Sequence, residues 1–207
     1  MTTVFVHLGI SLDGCIAGPN RSTKNPMGDG GHANHRWLLE TRAFRRHLGI
    51  AEDGVTGPDN DRVERTFARI GANILGKRMF DEGEASWPEV APFRTQVFVL
   101  THEKRAPWVR PGGTTFHFVN DGIERALQLA REAAGAKDVR VSGGADLVRQ
   151  YLNAGLVEEL NLDVAPVIMG NGLRLWDGVD PGKISLELVE SAGGKGVTHM
   201  RYAVKKK

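Results

Sequence analysis

Apolar, β-branched runs alternate with amphipathic helical patterns along most of this chain. That alternation restricts it to a sheet of mostly parallel strands covered by helices on both faces. The strand-like runs cover residues 4–10, 72–75, 96–101, 139–142 and 159–167, and the helical patterns cover 37–47, 61–70, 77–84, 122–134 and 145–154. The end of the chain departs from the pattern. Residues 184–191 read as a strand, Gly193-Gly194-Lys195-Gly196 as a turn and 197–204 as a second strand, which is an antiparallel hairpin. The expected architecture is therefore α/β with a mixed, mostly parallel sheet and a C-terminal hairpin. Residues 18–35 and 49–59 lack periodicity and are rich in Gly, Pro, Asn and Asp, so they are predicted to be long loops of the kind that serve as lids or binding loops. A chain of 207 residues with 41% hydrophobic residues can bury a sizeable core, and residues 1–207 are read as a single domain.

Charge and cysteine content remove several function classes. The formal net charge is +2 and the basic residues are spread along the chain, apart from Lys205-Lys206-Lys207, so no nucleic-acid partner is expected. A lone cysteine, Cys15, excludes an internal disulfide framework and a multi-cysteine zinc site and suits a reducing cytoplasm. No leader pattern and no membrane-spanning apolar run is present, so the expected location is cytoplasmic, without a membrane partner. His32-Ala-Asn-His35 has a conceivable metal spacing but no third ligand, and no metal is expected. Neither a Walker motif nor a dinucleotide glycine fingerprint occurs, and Ser142 lacks the flanking glycines of a nucleophile elbow.

The chemistry concentrates at strand-to-helix junctions. In Val139-Arg-Val-Ser-Gly-Gly-Ala-Asp-Leu-Val-Arg-Gln-Tyr-Leu152 a short strand runs through Gly143 and Gly144 into a helix. Missing Cβ atoms and a helix N-terminus suit a phosphate, although the same pattern also serves as an ordinary tight turn. Gly76 ends another strand and puts Lys77 and Arg78 at a helix start, where cations oppose the helix dipole unless an anion sits beside them. The pair suits the 2′-phosphate that distinguishes NADPH from NADH, or is simply solvated. Thr101 and His102 fall at the carboxyl end of a third strand, where ligands of open α/β sheets sit. Asp163 interrupts an apolar strand and must face a cleft or join a structural ion pair; the cleft is the favoured reading.

Five motifs in order carry a resemblance to the dihydrofolate reductase-like superfamily, most closely to the reductase domain of bacterial riboflavin biosynthesis and its stand-alone relatives. They are Ser11-Leu-Asp-Gly-Cys-Ile-Ala17, Ile74-Leu-Gly-Lys-Arg-Met79, Val97-Phe-Val-Leu-Thr-His102, Val141-Ser-Gly-Gly-Ala-Asp146 and Glu159-Leu-Asn-Leu-Asp-Val-Ala-Pro-Val-Ile-Met-Gly170. The resemblance implies a three-layer α/β/α fold and an NADPH-dependent reductase. Hydride would pass to a C=N or C=O carbon of a small heterocyclic or ribosylamino-type substrate. It further implies that Ile16, Ala17, Gly76, Lys77, Arg78, Thr101, His102, Ser142, Gly143, Gly144, Ala145 and Asp146 contact the cofactor, and that the Gly143–Gly144 peptide bond is cis. Asp13 would lie beside the nicotinamide pocket, or else act as an Asp-Gly turn residue. Glu40 and Phe44 have the carboxylate-aromatic spacing of dihydrofolate reductases, with an ordinary surface glutamate as the other reading. Asp13, Glu40, Asp163 and water are the candidate proton sources. The family also implies a homodimer, and the long apolar strand from Asn161, if left as an edge, would invite such pairing.

Overall fold

The computed structural model describes residues 2–207. In chain order the strands are β1 (Val4–Ser11), β2 (Cys15–Ala17), β3 (Ile70–Gly76), β4 (Gln96–Leu100), β5 (Trp108–Val109), β6 (Thr115–Val119), β7 (Asp138–Gly143), β8 (Glu159–Ala165), β9 (Leu173–Arg174), β10 (Ile184–Gly194) and β11 (Val197–Lys206). The helices are α1 (Arg36–Glu40), α2 (Arg42–His47), α3 (Pro58–Arg69), α4 (Lys77–Glu84), α5 (Ile123–Ala134) and α6 (Ala145–Asn153). Among the described residues nine strands form one sheet in the order β10-β11-β8-β1-β7-β3-β4-β6-β5, with β8 through β6 parallel and antiparallel strands at both ends. Connections between parallel neighbours must cross a face of the sheet, and the helices are those crossings.

Alternation along each strand sends two different sets of side chains to the two faces. One set, including Val4, Val6, Ala72, Ile74, Phe98, Val139, Val141, Leu160 and Leu162, packs on α5 and α6 in the main core. Helix α5 buries Ala126, Leu127, Ala130 and Ala134, a stripe at helical spacing. Each fully buried leucine there adds about 2 kcal/mol. The opposite face carries two separate apolar caps. Helix α4 brings Phe80 onto Leu75, Val97, Val99 and Phe116, while α1, α2 and α3 gather Trp37, Ala43 and Val63 against Val197 of the hairpin. These are the three layers, and the sheet between the two caps is left uncovered by helix.

The differences from the sequence reading have local causes. The helical pattern over residues 37–47 is broken at Thr41, whose ψ is 139° and whose side chain caps α2 by accepting from the Phe44 N–H at 3.3 Å. The loop beyond it reinforces the break, because the Val55 N–H donates to the Glu40 carbonyl and the Arg42 N–H to the Val55 carbonyl. Glu40 and Phe44 therefore belong to different helices and do not share one face. The strand over residues 159–167 stops at Ala165 because Pro166 has no N–H to continue the ladder. Strand β8 is bordered by β1 and β11, so its edge is already paired within the chain and gives no reason for dimerisation. The edge left open on that side is β10, where Leu186, Leu188 and Val189 are exposed. The short strands β2, β5, β6 and β9 had not been expected.

Candidate active site

A cavity of about 450 Å³ lies over the uncovered middle of the sheet, between the two apolar caps. Register determines its floor. Gly9 pairs with Asp163 and Asp163 with His199; His7 pairs with Asn161; Arg140 lies between Phe5 and Asn73. In-register partners share a face, so five strands contribute polar side chains to one surface. His7, Gly9, Asn73, Arg140, Ser142 and Asp163 line the cavity itself. Gly9 is required by close approach: a Cβ there would come within 2.9 Å of the Asn34 carbonyl and 3.0 Å of the His35 ring.

Asp163, 4% exposed, is the centre of a buried chain of polar groups. His7 Nε2–H donates to Asp163 Oδ2 at 2.6 Å and His199 Nδ1–H to Oδ1 at 2.6 Å, while the Arg62 guanidinium stands 4.0 Å away. Burial pushes the Asp163 carboxyl up, but the two histidines outweigh it and hold the group well below the usual carboxylate range. His199 has a carboxylate at each ring nitrogen, because its Nε2 is 3.1 Å from Asp59 Oδ1. Only the imidazolium can donate to both. Burial opposes that charge, and the bonds to Asp163 and Asp59 raise the pKa nonetheless. Among the described residues His7 Nδ1 forms no hydrogen bond, and His7 borders the cavity.

Among the described residues three buried polar atoms on cavity-lining side chains have no hydrogen-bond partner: Arg140 Nε, His35 Nδ1 and Trp37 Nε1. Arg140 spends one terminal nitrogen on the His7 carbonyl at 2.8 Å. Burial pulls its pKa down to about 10, against the attraction of Asp163. Burial also lowers the His35 pKa and favours the neutral ring. Trp37, Phe44, Phe67, Trp87 and Phe93 form the aromatic walls.

At the upper end of the cavity lies the Gly143–Gly144 turn, whose peptide bond is cis. Gly143 has φ +125°, while a Cβ on Gly144 would meet nothing within 4 Å, so that position opens onto free space. Gly76 packs against the same turn, its Cβ position 3.6 Å from the Gly144 N. The Ser142 hydroxyl is committed to Asn73 Oδ1 at 2.8 Å. Ala145 is buried at the start of α6, and Asp146 is exposed and pairs with Arg149 at 2.8 Å. Lys77 pairs with Asp81 at 2.7 Å and Glu103 at 3.2 Å, and these contacts raise its pKa. Arg78 bonds Glu82 at 3.0 Å, with its own side chain 67% exposed. Thr101 is buried and accepts from the Glu103 N–H at 3.0 Å, while His102 is exposed beyond it.

Of the residues singled out from sequence, Ile16, Ala17, Ser142, Gly143, Gly144 and Asp163 line the cavity. Gly76 adjoins them, and Lys77, Arg78, Thr101 and His102 follow the carboxyl ends of the neighbouring strands β3 and β4. Asp13 and Glu40 lie outside the lining. The Asp13 carboxylate accepts from the Ser11 hydroxyl and from the Met169 and Gly170 N–H groups, which lowers its pKa to about 2. It clamps two loops and carries no proton near neutral pH. Glu40 is exposed at the break between α1 and α2. His7, Arg140, His199 and Arg62 went unnoticed in the sequence. Among the described residues no group of three or more His, Cys, Asp or Glu is arranged to hold a metal, and no helix is long and apolar enough to cross a membrane.

The profile of the family described as the RibD C-terminal domain matches residues 2–198. Uncharacterized protein YyaP of Bacillus subtilis is 35% identical over 74 residues, a stretch covering 36% of this chain and 38% of that protein. Among solved structures, a putative riboflavin biosynthesis protein from Shewanella sp. PV-4 superposes with a TM-score of 0.68 at 18% identity over 99% of both chains. The diaminohydroxyphosphoribosylaminopyrimidine deaminase/5-amino-6-(5-phosphoribosylamino)uracil reductase of Thermotoga maritima gives 0.59 at 13% identity, covering 98% of this chain and 56% of that one. Dihydrofolate reductase from Enterococcus faecalis, solved with NADP(H), gives 0.53 at 11% identity over 98% of this chain and 96% of the other. At such identities these structures establish a shared fold.

Proposed function

Because the chain belongs to the RibD C-terminal domain family, we propose that it is an NADPH-dependent reductase, delivering hydride to a C=N or C=O carbon of a small substrate held over the sheet. The observation that carries this reading is the continuity of one cavity from the Gly143–Gly144 turn to His7, Arg140 and Asp163. The residues fit a dinucleotide: free space beside Gly144 and the N-terminus of α6 admit a pyrophosphate. Gly76, Gly143, Gly144, Ile16 and Ala17 would hold it, with Lys77 and Arg78 toward the 2′-phosphate. NADPH supplies the hydride when bound.

The chain's own residues orient the acceptor, exclude water and handle the proton. Aromatic walls dry the cavity and strengthen every charge interaction inside it. His7 is the proton-handling group in this proposal: its Nε2–H is fixed on Asp163 and its Nδ1 is free to exchange a proton with substrate. Asp163 positions His7 and transfers no proton itself.

Arg78→Ala tests the cofactor preference. NADPH binding should weaken about tenfold, the low end for a lost charge-assisted contact on an exposed side chain, with NADH binding changed by less than about twofold. Titration calorimetry with both nucleotides reads the difference, and equal losses would contradict the NADPH assignment. The same proposal takes the chain as a homodimer joined through the open β10 edge, with its exposed Leu186, Leu188 and Val189. Light scattering should give twice the chain mass at micromolar concentration, and the mass of one chain would exclude the dimer.

A further inference from the structure

We propose that the deep end of the cavity is a carboxylate site and that the substrate is a planar conjugated acid rather than a ribosylamino phosphate; this rests on the reductase reading and names its substrate class. Among the described residues two arginines line the cavity, Arg21 and Arg140. Arg21 is ion-paired with the buried Glu82, a carboxylate that it shares with Arg78. Arg140 takes part in no ion pair among the described residues, and its buried Nε–H has no partner. The Asp163 carboxylate that attracts Arg140 is already held by two histidines, so the half-buried guanidinium keeps an unsatisfied N–H, and a carboxylate is the partner its planar fork matches best.

Position and surroundings narrow the ligand further. Arg140 springs from β7 three residues before Gly143 and its guanidinium is anchored on the His7 carbonyl, so its anion would sit over the His7 and Asp163 floor. Aromatic side chains wall the cavity, Trp37, Phe44, Phe67, Trp87 and Phe93 among them. A flat conjugated ring bearing one carboxylate suits those walls and the guanidinium together. Sugar hydroxyls would find few partners, because Ser142 and Asn73 are bonded to each other and Asn73 also donates to Thr95. A phosphate would set a double negative charge against one free guanidinium.

The test uses the full chain and three probes, 2-naphthoate, neutral 2-naphthamide and ribose 5-phosphate, followed by quenching of tryptophan emission and by calorimetry. The naphthoate should bind about tenfold more tightly than the naphthamide, and ribose 5-phosphate should not displace it. Arg140→Met should abolish the preference for the acid, and Arg140→Lys should keep part of it. Equal binding of acid and amide by the wild-type protein, or displacement by ribose 5-phosphate, overturns the proposal even if an Arg140 variant fails to fold. A parallel NADPH titration separates the two readings. Nucleotide binding without acid preference sinks the carboxylate site alone, whereas acid preference without nucleotide binding supports the site and sinks the reductase reading.

Discussion

Asp163→Asn should destabilise the protein by about 3–5 kcal/mol, the range for removing one partner from a buried charge network. Asn preserves the volume, so the loss is electrostatic: His199 keeps its charge beside Asp59 but loses its second carboxylate, and Arg62 loses its neighbour at 4.0 Å. An amide nitrogen would also face one of the two N–H donors that Asp163 now accepts. Turnover should fall by about a hundredfold or more, because His7 loses the partner that orients it. The pH dependence carries a separate signature. Asp163 is depressed in the folded state, so its contribution is present above the reference value of 3.8 and is lost as pH falls toward its folded pKa. His199 is raised, so its contribution is complete below 6.5 and is lost as pH rises through its folded pKa. The cluster therefore stabilises most between pH 3.8 and 6.5. Urea denaturation across pH should show that maximum in the wild type and a flatter profile in Asp163→Asn. A variant as stable as wild type would remove the network from the account.

Gly144→Val should leave the fold close to wild type and raise the Kd for NADPH by about thirtyfold or more, roughly 2 kcal/mol. Gly144 has φ −74° and ψ −168°, a backbone region open to any residue, and an added Cβ meets no atom within 4 Å. The side chain would occupy only the space through which a pyrophosphate approaches α6. Gly143 is a poorer probe, because its φ of +125° and the Met79 sulfur 3.2 Å from its Cβ position would make a substitution damage the turn itself. Thermal denaturation alongside nucleotide titration separates loss of binding from loss of structure. Unchanged affinity in a folded Gly144→Val protein would contradict the cradle.

The layered fold was legible because the strands buried on both faces read as apolar runs, and because Gly193 to Gly196 marked the hairpin. Strand β6 was not recognised, although Thr115-Phe-His-Phe-Val119 is aromatic and β-branched and bounded by glycines. The break at Thr41 escaped because a periodic pattern continued across it, while Thr41 acted as a cap and the distant Val55 segment supplied the competing bonds. For the site, the glycine turn and its strand end pointed to residues that line the cavity, Ser142, Gly143 and Gly144, since their geometry is local. The polar floor is not local. His7, Arg140, Asp163 and His199 belong to four strands, and only register brings them to one face. A faint signal existed in the in-phase polar positions His7 and Ser11, Arg140 and Ser142, Asn161 and Asp163, His199 and Arg201. Recognising it requires knowing which strands are neighbours. Asp13 fits the second of its two readings, a turn residue, with its carboxylate holding two loops together.

Transfer of deuterium from C4-deuterated NADPH to an acceptor tests the reductase reading most directly. The products from a panel of conjugated C=O and C=N compounds, acids included, would be read by mass spectrometry. The wild-type protein should place one deuterium on carbon in at least one product, and Gly144→Val should do so markedly more slowly at NADPH concentrations below its raised Kd. Failure of the wild-type protein to bind NADPH saturably, with no deuterium in any product, would contradict it.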